Sequence, residues 1–178
     1  MSIAGPIVIG LIIIFGIFFI YTTSKVNQLE ILTRDKGAEI DSSIWDRSFR
    51  LSKLVEILEK KGIEHEIDAP DTNSFGLGSS ATIQAARSEQ LDRADKALRK
   101  IIKEHPELNE DEDFKTNIEK FNTARQQLFT QSLAYNKSTY TYNNYISGFP
   151  ANVIATFYKK TDRPIFGYVF ADIDDEDI

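Results

Sequence analysis

The chain has 178 residues, 21 basic and 27 acidic side chains, a formal net charge of −6 and no cysteine. The missing cysteine excludes disulfides, thiolate metal sites and a cysteine nucleophile. Five of the last seven residues are acidic (Asp172, Asp174, Asp175, Glu176 and Asp177), so the body is nearly neutral and lacks the basic footprint that nucleic acid demands.

Residues 3–21, IAGPIVIGLIIIFGIFFIY, carry no charged side chain. As a helix this run spans about 28 Å, close to the hydrocarbon thickness of a bilayer. A cleaved signal would show a basic start, a shorter apolar core and a small-residue cleavage site. Here no basic side chain precedes Ile3, and Tyr21-Thr22-Thr23-Ser24 is a poor cleavage site. The run reads as an uncleaved transmembrane helix, with residues 1–24 as the anchor segment and the lipid bilayer as its partner. Lys25, Arg34 and Lys36 follow it and nothing basic precedes it. By the positive-inside rule the amino terminus lies outside and the rest in the cytoplasm.

From Val26 to about Lys61 apolar residues recur at helical spacing, among them Leu29, Ile40, Ile44, Leu51, Leu54 and Leu58, and the membrane helix can run straight into this stretch. Trp45 is expected in its core. Glu64 to Ser80, with Pro70, Gly76 and Gly78, breaks the pattern into a long loop. Ser79 or Ser80 can cap a second helix from about Ala81 to Glu104, which His105-Pro106 ends. Asn109 or Asp111 can cap a third. That third helix carries large apolar residues at intervals of seven: Phe114, Phe121, Leu128, Tyr135, Tyr142 and Phe149. A seven-residue repeat predicts near-antiparallel packing against neighbouring helices. Pro150 ends it and can start a short helix, Ala151 to Phe157. Residues 165–170 look extended, and the acidic end is predicted to be disordered. The fold class is all-α: an N-terminal transmembrane helix, then an antiparallel bundle of long helices over residues 25–160 with a short C-terminal helix, and an extended acidic tail over 161–178.

Chemical motifs are weak. Asp71 to Gly76 begins like a calcium loop, but its fifth position is Phe75 and its twelfth is Thr82, where calcium requires oxygen ligands. Gly76-Leu77-Gly78-Ser79-Ser80 lacks the lysine of a phosphate loop and reads as a helix cap. His65 stands among Glu64, Glu66 and Asp68, whereas His105, the other histidine, ends a different helix; this predicts a solvated loop, with no cofactor and no metal. Nothing ties a serine to either histidine, so no catalytic residue is named. The aromatics of the third helix lack the basic company of a stacking surface for nucleic acid. Asn136 and Asn143 each follow a heptad tyrosine. An amide at a helix seam can fix register by bonding to a facing backbone or side chain; the alternative is a pair of amides that read a ligand.

The segment YNKSTYTYNNYISGFPANVIA, Tyr135 to Ala155, resembles the signature of the LemA family: a Tyr-Asn pair repeated after seven residues, then an isoleucine and Phe149-Pro150. Ile40-Asp41, Arg47, His65-Glu66 and Glu104 to Phe114 extend the resemblance along most of the chain. Ser52 replaces a proline usual in the family, and Arg125-Gln126-Gln127-Leu128 and Gln131-Ser132 replace other polar runs. The resemblance implies a bacterial membrane-anchored protein with an antiparallel helical bundle and no catalytic residues to carry over.

The expected function is therefore that of a single-pass protein of the bacterial inner membrane, without catalysis. Its bundle is expected to bind a protein partner or to self-associate, with Tyr135, Asn136, Tyr142, Asn143, Phe149 and Pro150 as interaction or register residues. The alternative is a ligand- or metal-sensing bundle at the membrane.

Overall fold

The computed structural model describes residues 4–70, 72 and 78–168. Helix α1 runs from Ala4 to Lys60, α2 from Ala81 to Glu104, α3 from Glu112 to Ser147 and α4 from Ala151 to Phe157, and a 3-10 turn covers Pro106–Glu110. Among the described residues there is no strand. The helices start and stop where side-chain chemistry dictates. Pro6 sits in the first turn of α1, where its missing N–H costs nothing. Gly62, at φ 70°, closes the other end, with Ile63 N–H donating to Leu58 O at 3.0 Å, the six-residue return of a glycine C-cap. Ser80 caps α2 by accepting from Ile83 N. Asp111 Oδ1 accepts from Phe114 N at 2.9 Å and starts α3.

The chain divides into two compact units. One comprises Met1–Asp35 and Lys137–Pro164; the other comprises Lys36–Asn136 and Ile165–Ile178. The second unit is a three-helix bundle. Its core draws Ile40, Ile44, Leu51, Leu54 and Leu58 from α1, Leu91 and Leu98 from α2, and Phe114, Phe121 and Leu128 from α3. Ser43 Oγ donates to Gln131 at 2.6 Å, and Lys61 pairs with Asp111 at 2.8 Å, so residue numbers fall along α3 as they rise along α1. α3 is thus antiparallel to α1, and the short connection at 105–111 makes it antiparallel to α2. α1 and α2 run in the same direction, because Gln84 meets Gly37 O and Asp95 meets Arg47; the long segment after Lys60 returns the chain for this.

The first unit holds the apolar part of α1 and a small core of Val26, Leu29, Tyr142, Ile146, Ala151, Ile154 and Ala155. The helix that includes residues 5–21 is long and apolar enough to cross a membrane, and only 6% of its most apolar window is buried.

Two expectations change. Trp45 is 43% exposed and stacks on Phe49 instead of filling the core. It follows Ile44 directly, so it is turned about 100° from the α1 seam. Phe149 is 84% exposed, although the five heptad residues before it are buried. The helix stops at Ser147, because the residue before a proline disfavours helix, and Phe149 leaves the seam. Residues 165–168, the described part of the run read as extended, form no helix or strand; the rest of that run and the expected disorder of the acidic end, 169–178, lie outside the described residues, as do Asp71, Asn73 and Phe75 of the loop.

Candidate functional site

Within the first unit the end of α3 is tied to the chain that follows α4. Asn143 Nδ2 donates to Arg163 O at 2.9 Å, and Arg163 N–H donates to Asn143 Oδ1 at 2.9 Å. Both functions of the amide are committed to one backbone residue. Tyr142 beside it is buried, with the Arg163 guanidinium 6.0 Å from its ring centre. Burial, helped by the nearby Glu30 charge, pushes the Tyr142 hydroxyl pKa up. Glu30 Oε1 accepts from Arg163 Nη2 at 3.1 Å, and its other oxygen accepts from Lys160. Burial pulls the Glu30 carboxyl up, but the hydrogen bonds and charges of Lys160 and Arg163 outweigh it and leave the pKa below 4.5.

Within the second unit Asn136 makes the same closed pair. Its Nδ2 donates to Phe166 O at 3.0 Å, and Phe166 N–H donates to its Oδ1 at 2.8 Å. Tyr135, 7% exposed, lies close to Gly37, where a Cβ would meet its ring at 3.5 Å.

The same unit contains a buried ionic network. Arg47 is fully buried; its Nη1 lies 2.8 Å from Asp92 and its Nη2 lies 3.1 Å from the equally buried Asp95. Phe121 presents its ring face to the Arg47 guanidinium at 4.9 Å. Arg99 pairs with Asp95 at 3.0 Å and reaches Asn122 at 3.3 Å, and the Tyr168 hydroxyl donates to Asp92. Arg125 joins the network: burial pulls its pKa down, Asp92 opposes this and Arg47 adds to it. These charges answer one another across three helices and the tail. They fix how α2 and α3 meet α1, because an unanswered charge there would be costly.

The glycine-rich stretch before α2 already holds an internal anion. Asp41 Oδ2 accepts from Gly78 N at 2.7 Å and from Ser79 N at 3.0 Å, and Oδ1 accepts from Gln84 Nε2 at 2.9 Å. The N–H groups of Gly78 and Ser79 are thereby occupied, which favours the capping reading. His65 Nε2 lies 4.0 Å from Glu59 and His105 Nδ1 lies 2.9 Å from Glu107, each in its own place. Among the described residues no group of three or more His, Asp or Glu could hold a metal.

Of the residues singled out in the sequence, Asn136 and Asn143 bond to backbone, Tyr135 and Tyr142 are buried, and Phe149 and Pro150 border a cavity of about 80 Å³. The ionic network was missed as a site. Its signal was present: Ile40, Ile44, Arg47, Leu51, Leu54 and Leu58 alternate spacings of four and three, as do Gln84, Ser88, Leu91, Asp95 and Leu98. Arg47 and Asp95 are the charged members of those two seams.

No curated protein and no solved structure matches the chain. The model of the LemA family matches residues 59–175, a span that contains α2, α3, α4 and both asparagine clamps and leaves out most of α1. That span is most of the chain, and a membrane-anchored helical protein fits both the match and the apolar start of α1. The chain belongs to the LemA family.

Proposed function

We propose that the protein is a non-enzymatic, single-pass protein of the bacterial inner membrane whose helical bundle serves as an interaction or scaffold module. Its orientation is amino terminus out and bundle in the cytoplasm. The observation that carries the interaction reading is the Trp45–Phe49 pair. The two rings lie 5.3 Å apart at 6°, and Trp45 is 43% exposed. Arg50 and Lys53 approach the Phe49 ring at 5.4 and 5.7 Å. Tryptophan and arginine on a rigid helix are the residues that dominate protein contacts, because they bury much area for little lost side-chain freedom. Lys25, Arg34 and Lys36, all after the apolar run, support the orientation.

A ligand-sensing role for Asn136 and Asn143 is less well supported, since each amide spends its donor and its acceptor on backbone. The interaction reading is tested by crosslinking the full-length chain in membranes, isolating it in detergent, and comparing it with Trp45→Ala. A discrete crosslinked partner or dimer is expected, and Trp45→Ala should weaken it by about tenfold, the equivalent of ~1.4 kcal/mol. Identical products from both chains, or a monomer without partners, would overturn the reading.

A further inference from the structure

We infer that α4 and the turn before it form a second membrane contact, in which Phe149, Val153 and Phe157 insert into the interfacial layer of the leaflet where α1 leaves the bilayer. This rests on the anchor reading above and extends it to a part of the chain far from the apolar run in sequence. α4 is two-faced. Ala151, Ile154 and Ala155 are buried in the first unit's core, while Phe149 is 84%, Val153 58% and Phe157 74% exposed. Val153 and Phe157 are four positions apart on α4 and so share one side, and Phe149 is exposed in the turn just before it.

The occupant follows from what stands beside that face. Phe149, Pro150, Val153 and Ile154 line one cavity together with Phe15, Phe18, Phe19 and Thr22 of α1. Phe15 lies inside the apolar run, six residues or about 9 Å before Tyr21. An element that shares a wall with Phe15 sits at the depth where interfacial helices bury their apolar faces, about 5–10 Å. The apolar surface is thus continuous from the anchor onto α4, and lipid covers the first part. The far end of α4 has the composition of a membrane boundary. Tyr158 packs edge-on against Phe157 at 5.0 Å, and Lys159 is exposed beside it, an aromatic ring and a long cation that both favour the headgroup layer.

Tryptophan fluorescence in liposomes tests this. The native Trp45 is changed to Phe in the full-length chain, and a single tryptophan is placed by Phe149→Trp, Val153→Trp or Ile12→Trp, positions exposed enough to accept it without repacking. Vesicles of a phosphatidylcholine and phosphatidylglycerol mixture carry either plain or brominated acyl chains. The Phe149→Trp and Val153→Trp proteins are expected to emit at shorter wavelength than a water-exposed tryptophan. They should also lose emission to brominated chains and resist aqueous iodide. Quenching at Ile12→Trp without quenching at the other two would overturn the inference and leave the anchor standing. No quenching at Ile12→Trp would overturn both. Emission at Phe149→Trp that is shielded from iodide but blind to bromine, and that changes with the protein-to-lipid ratio, would mean that a second copy covers the face, and would also overturn it.

Discussion

Changing Arg47 to Met should strand a buried negative charge. Arg47 and Asp95 are both fully buried and 3.1 Å apart, so the methionine fills similar space while Asp95 keeps Arg99, at 3.0 Å, and the charge of Arg125. Removing one partner of a buried pair costs about 3–5 kcal/mol. Arg99 still answers part of the charge, which puts the expected loss near the lower end, about 3 kcal/mol. For a chain of this size each kcal/mol moves the midpoint by roughly 3 °C, so Tm should fall by about 9 °C. Adding Asp95→Leu to the Arg47→Met chain removes the stranded carboxylate and should recover about half of the loss. The assay is thermal unfolding of the full-length protein in detergent, followed by helical circular dichroism. If Arg47→Met moves Tm by less than about 2 °C, or if the double variant loses the sum of the single losses, the network does not hold the bundle as argued.

Asn143→Ala should leave the N–H and C=O of Arg163 without their partner, costing about 1–3 kcal/mol; amide exchange should rise at Arg163, and Asn136→Ala should do the same at Phe166. Glu30 has a folded pKa below 4.5, so its contribution is present above that value and is lost as pH falls through the folded pKa. Glu30→Gln should therefore flatten the stability profile on the acid side of pH 4.5 and lower stability at neutral pH, as read from denaturant midpoints at several pH values. Gly37 lies inside α1, where a Cβ would make ordinary contact with the Tyr135 ring at 3.5 Å. Gly37→Ala should thus stabilise by about 0.5–1 kcal/mol through helix propensity alone; a lower Tm would mean that the α1–Tyr135 contact has no room to give.

The ends of the helices were readable because local chemistry sets them. Ser80, Asp111 and Pro150 act within one turn of where they stand, and α2 and α4 have the bounds their flanks imply. The heptad of α3 was readable to Tyr142, because burial follows period; it failed at Phe149, where Pro150 overrides the period. Trp45 misled because a large aromatic invites burial, although its position one step from Ile44 placed it off the seam. Arg47 and Asp95 were obscured for the opposite reason: charge suggests solvent, and only their spacing among leucines showed that they face each other. The partners of Asn136 and Asn143 could not be read at all. A backbone acceptor twenty or thirty residues away leaves no trace in the side chains that surround it.

The proposed topology, an anchored chain with its bundle on the cytoplasmic side, can be tested by cysteine labelling because the protein has no cysteine of its own. Single cysteines introduced by Ile12→Cys and Tyr140→Cys, at positions 65% and 68% exposed, can be labelled with a membrane-impermeant maleimide in intact and in permeabilised cells. Ile12→Cys is expected to stay unlabelled in both, shielded by hydrocarbon, and Tyr140→Cys to be labelled only after permeabilisation. Labelling of Tyr140→Cys in intact cells would contradict the orientation, and labelling of Ile12→Cys would contradict the anchor.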